Sequence, residues 1–157
     1  MESGQRRPNE PVATPVPRRR TAFIDALAGL YAAVLVSATH YPRPQDLLGA
    51  NPPSDKLLHF LAYTILGSLA AAAAAVRGGW NGPRITLLAV ALALFAAADE
   101  ITQPFFGRAV EFPDWLADLA GLAVGIGAVV LWTGRHAHPV AAPAGEAPGP
   151  SAGESRF

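Results

Sequence analysis

Four long apolar runs limit what this chain can fold into more than any other feature of it. They cover roughly residues 21–39, 57–76, 85–103 and 115–133. Each approaches the roughly 20 residues that a helix needs to cross about 30 Å of hydrocarbon. All seven prolines of the middle region fall between the runs: Pro42, Pro44, Pro52, Pro53, Pro83, Pro104 and Pro113. Proline lacks a backbone donor and breaks helices, so this punctuation agrees with four separate spans. The runs are rich in Ala and Leu and too long for membrane strands, which predicts helices.

Charge is distributed to match. Of 24 charged residues, seven lie in the first 20 positions and four in the last 24, leaving 13 for positions 21–133. The Arg/Pro-rich segment 1–20 and the Ala/Pro/Gly-rich segment 134–157 are expected to be disordered tails. A net charge of zero with no basic stripe argues against a nucleic-acid partner. The absence of Cys excludes disulfides, thiolate-ligated metals and a thiol nucleophile. The expected fold is therefore an all-α integral membrane four-helix bundle, a single multi-pass domain whose first partner is the lipid bilayer. The Arg-rich start followed by Val36-Ser37-Ala38 also fits a cleaved signal peptide, but Asp25 and the long basic lead weigh against cleavage.

Orientation follows from Lys and Arg. With both termini cytoplasmic, nine basic residues lie inside, and only Arg43, Lys56 and Arg108 lie outside. Trp115 and Trp132 bracket the fourth span about 25 Å apart, at 1.5 Å per residue, which suits anchoring at both interfaces. Gly121 and Gly125 in that span allow close helix approach, either within the bundle or between two chains. Asp25 sits near the inner face, within reach of the triplet Arg18-Arg19-Arg20, and Trp80 belongs to an inner turn. His136 and His138 are too few to form a metal site.

The middle region's charges collect at the outer ends of the spans. Asp55, His59 and Tyr63 recur at i, i+4, i+8 on one face of the second helix. Asp99 and Gln103 share a face at the end of the third, with Glu100 beside them. Asp114 and Asp118 share a face at the start of the fourth, and Arg108 lies in the short loop between. If these faces turn inward, the groups converge in one extracytoplasmic pocket. Ionisable residues at membrane depth are costly and point to function by default.

Three stretches carry a family resemblance. Asp55-Lys56-Leu57-Leu58-His59-Phe60-Leu61-Ala62-Tyr63 resembles the DKxxHFxxY block of the VanZ-like family. Asp99 to Arg108 resembles its DExxQxFxxxR block with one residue fewer before the Arg, and Asp114 to Gly121 its DxxxNxxG block. Asp118 departs from the Asn usual there and adds an acid. The resemblance, over about residues 20–133, implies a small bacterial integral membrane protein of the cell envelope. It also implies a link to teicoplanin susceptibility, without supplying a reaction.

Several roles remain open for these residues. His59 and Glu100 are the candidates for proton transfer. Lys56 and Arg108 would hold an anionic group, such as that of an envelope lipid or cell-wall precursor, a guanidinium fork being suited to phosphate or carboxylate. Arg108 could instead neutralise Asp99, Glu100 or Asp114. Asp55, Tyr63, Asp99, Gln103, Asp114 and Asp118 would line the pocket, and the carboxylates could take a divalent cation, although no cofactor is required. The competing reading is an internal ion-pair network without chemistry. A further alternative is a non-catalytic scaffold acting through helix contacts such as Gly121 and Gly125.

Overall fold

In a computed structural model of the chain, residues 18–42, 53–78 and 80–136 are described. They form four helices: α1 (Arg18–Thr39), α2 (Asp55–Ala75), α3 (Gly82–Thr102) and α4 (Phe112–His136). All four are long and apolar enough to cross a membrane. A 3-10 turn, Gln103–Phe106, extends α3. The expected tails outside these ranges, the stretch holding Arg43 and Asp46, and His138 lie outside the described residues.

Local chemistry sets the helix starts. The Ser54 hydroxyl accepts from the Leu57 amide at 3.3 Å, satisfying one of the free donors of α2. Asn81 caps α3 in the same way, accepting from the Arg84 amide at 3.0 Å. Asp55 and Asp114 sit in the first turns of α2 and α4, where the helix dipole favours an acid. Two prolines are placed differently from the expectation that all seven lie between spans. Pro83 and Pro113 fall inside the first turns of α3 and α4. The amide that proline lacks has no intrahelical partner at that position, so proline starts these helices rather than separating them. All four helices begin two or three residues before the apolar runs, and Arg18–Arg20 and residues 134–136 are helical.

Packing is most intimate between α2 and α4, which run parallel. A Cβ on Gly121 would stand 2.3 Å from the Phe60 carbonyl oxygen, and one on Gly125 2.2 Å from that of Thr64. The two glycines therefore let the backbones touch inside one chain, where small residues give membrane helices their van der Waals contact. Tyr63, Leu66, Ala96, Leu122 and Leu35 form the core. α1 rests on α2, tied by the Tyr31 hydroxyl donating to the Ala62 carbonyl at 2.9 Å. Leu30, Leu87, Leu94 and Leu131 point outward, as residues facing lipid would.

At the end of the bundle formed by the start of α1 and the α2–α3 turn, Asp25 pairs with Arg77. Trp80 donates its indole N–H to Thr133 at 2.9 Å. Trp132 is exposed, but Trp115 is half-buried, packs on the core and meets the Phe112 ring at a tilt, 5.6 Å between centroids. Trp115 is therefore a packing residue as much as an interfacial one.

Replacing Gly125 with Leu drives a side chain into the α2 backbone and should cost about 3 kcal/mol or more in reversible unfolding from detergent micelles. Gly127→Leu, where a Cβ meets nothing within 4 Å, should change stability by less than about 0.5 kcal/mol.

Candidate functional site

The end of α1, the start of α2, the end of α3 and the start of α4 meet at one end of the bundle. Among the described residues, six carboxylates (Asp55, Asp99, Glu100, Glu111, Asp114 and Asp118) share this end with Lys56, Arg108, His40 and His59. His59, Asp99, Glu100, Gln103, Asp114 and Asp118 are buried, Asp118 completely at 0% exposure. Water cannot neutralise such groups, so their partners decide whether the bundle holds.

His59 links α2 to α4 from a buried position. Its Nδ1 lies 2.9 Å from Asp118 Oδ1, and with this carboxylate as partner Nδ1 is the donor. Its Nε2 is 3.9 Å from Asp114 Oδ2, beyond hydrogen-bond reach. Asp118 Oδ2 has no hydrogen-bond donor among the described residues.

Asp99, on α3, is held by side chains of two other helices. The Tyr63 hydroxyl donates to its Oδ2 at 2.9 Å, and the Thr39 hydroxyl donates to its Oδ1 at 2.9 Å. His40 stands 3.4 Å from the same Oδ1, with Nδ1 2.8 Å from the Val36 carbonyl and Nε2 2.9 Å from the Thr102 hydroxyl. The Phe106 ring meets the His40 ring in a T-shaped contact at 4.7 Å between centroids. This network fastens α1 to α3 with charge-assisted bonds, which are the stronger kind.

Glu100 is fixed by its own loop. The Gln103 amide donates to Oε2 at 3.0 Å, and the Glu111 backbone amide donates to Oε1. Gly107 makes this possible: at φ 79° it occupies the left-handed region that suits glycine, and it ends the 3-10 turn. The chain then turns so that Arg108 reaches back, one amino group donating to the Thr39 carbonyl at 2.9 Å and the other to Asp55 Oδ2 at 2.5 Å. Lys56 bridges Glu111 Oε2 at 3.2 Å and Asp114 Oδ1 at 3.3 Å.

Beside these groups a cavity of about 290 Å³ opens between α1 and α2. Its walls are Tyr31, Val34, Leu35, Ala38, Leu58 and Ala62, and its polar lining is Thr39, Asp55, His59 and Arg108. Two groups of side chains could hold a metal: His59, Glu100 and Asp118, and Asp55, His59 and Asp114. In each group one ligand atom per residue lies within 4.8 Å of the others.

All ten residues singled out in the sequence meet at this end. Their pairing differs from expectation in two respects. Arg108 binds Asp55 and the Thr39 carbonyl, not Asp99, Glu100 or Asp114, because the Gly107 turn directs it toward α1. Among the described residues His59 bonds to Asp118 rather than to Glu100, the other candidate for proton transfer. Thr39, His40, Thr102 and Glu111 complete the site without having been singled out. The adjacent Thr39-His40 pair at the polar end of the first span is the signal that could have found two of them.

Tyr63→Phe removes a donor from buried Asp99 and should cost about 1–3 kcal/mol of stability. Arg77→Gln, at the exposed pair with Asp25, should cost at most about 1 kcal/mol in the same unfolding measurement.

Neither a curated protein nor a solved structure matches the chain. A family model described as VanZ/LLP1 matches residues 28–133. That range holds all of α2 and α3, most of α1 and α4, and every residue of the site. The chain belongs to the VanZ/LLP1 family.

Proposed function

We propose that this protein binds an amphiphilic component of the bacterial envelope at the outer leaflet of the cell membrane, and that this binding underlies a contribution to teicoplanin susceptibility. The observation that carries the reading is the cavity between α1 and α2. Its apolar walls suit a hydrocarbon chain, and its polar lining suits a head group. Arg108 supplies the guanidinium for an anionic group such as that of an envelope lipid or cell-wall precursor, exchanging its bond to Asp55. The basic-residue count favours placing this end of the bundle outside. If the bound component is also modified, His59 is the group that reaches the cavity, with Glu100 behind it.

The scaffold alternative loses support from one observation. Gly121 and Gly125, the stripe it would use for a partner, are already in backbone contact with α2.

The test is a resistance assay in a teicoplanin-sensitive host at matched membrane levels. Wild type should protect, whereas His59→Gln, Glu100→Gln and Arg108→Ala should not. Ala38→Phe, which fills the cavity from an exposed position, should also lose protection while inserting normally. Protection that survives Ala38→Phe and His59→Gln contradicts the reading. No protection from wild type removes the teicoplanin link.

A further inference from the structure

We propose that His59, Glu100 and Asp118 form a binding site for one divalent first-row transition-metal ion. The three side chains come from α2, α3 and α4, and all are buried. One ligand atom from each lies within 4.8 Å of the others. Bonds of about 2.0–2.2 Å put the donors of a single ion up to about 4.4 Å apart, so a small side-chain adjustment closes the set.

Two independent observations favour an ion here. The first is Asp118 Oδ2, completely buried and without a hydrogen-bond donor among the described residues. Its companion oxygen takes the His59 N–H, so the carboxylate already sits against the cluster with an unused lone pair. The second is the distribution of positive charge. Arg108 engages Asp55, and Lys56 engages Glu111 and Asp114. Neither makes an ion pair with Glu100 or Asp118 among the described residues. Two carboxylates at close range in an apolar bundle thus share one imidazole, and a cation between them would offset both charges.

The donor set selects the class of ion. One imidazole and two carboxylates suit Mn²⁺, Fe²⁺ or Zn²⁺ better than Ca²⁺ or Mg²⁺, which prefer all-oxygen shells. Gln103 and the Glu111 amide hold the Glu100 carboxylate from outside the cluster, the kind of support that orients metal ligands.

The experiment uses the full chain in detergent, with His136→Ala and His138→Ala to remove the two imidazoles near the C-terminus. After treatment with a chelator and desalting, the protein is titrated with Mn²⁺ and with Zn²⁺, and bound metal is counted by elemental analysis. One ion per chain is expected. His59→Gln, Glu100→Gln and Asp118→Asn should each weaken binding at least about tenfold. Asp25→Asn, at the opposite end, should leave it unchanged. Metal should also raise the unfolding temperature of the parent chain, a readout that stands even if a cluster variant fails to fold. Failure of the parent to retain either ion, or binding that persists in all three cluster variants, overturns the proposal. Because cavity filling by Ala38→Phe leaves these ligands intact, loss of protection there and retention of metal separate the two proposals.

Discussion

The contact between His59 and Asp118 is the constraint around which the bundle is organised. It joins a buried histidine and a buried carboxylate between two largely apolar helices, where each would be costly alone. The glycines set the distance. Gly121 lies against Phe60 and Gly125 against Thr64, so the parallel backbones of α2 and α4 meet closely one and two turns beyond the polar pair. A larger residue at either position would move Asp118 away from His59, and packing and polar pairing are therefore one requirement rather than two.

The other helices are attached through the same end. Asp99 brings Thr39 of α1 and Tyr63 of α2 to α3, and Arg108 clasps the last carbonyl of α1 to Asp55. α1 is otherwise lightly packed, and the cavity lies where it leans on α2. A lipid-facing helix held mainly at its polar end suits a site that admits an amphiphile from the bilayer.

Much of this was legible in the sequence because the relevant signals are periodic. Apolar runs separated by prolines define four helices, and i, i+4 spacing places Asp55 with His59 and Asp114 with Asp118 on shared faces. The convergence of ten residues at one end follows from alternating helix direction. Which of them bond is a different matter, because that depends on helix rotation and on turn geometry. The left-handed Gly107 turn sends Arg108 to Asp55, and no spacing rule anticipates that. Thr39 and His40 escape notice because each resembles an ordinary helix end until Asp99 is placed opposite. Pro83 and Pro113 resemble separators in the sequence but start helices, since a loop proline becomes a first-turn proline wherever the next residues continue the helix.

The most direct test of this account is a double-mutant cycle on His59→Gln and Asp118→Asn, measured by reversible unfolding in mixed micelles. Coupling of about 1 kcal/mol or more between the two positions is predicted, because each group is buried against the other. Additive effects would contradict the account, since they would mean that α2 and α4 hold together without this pair.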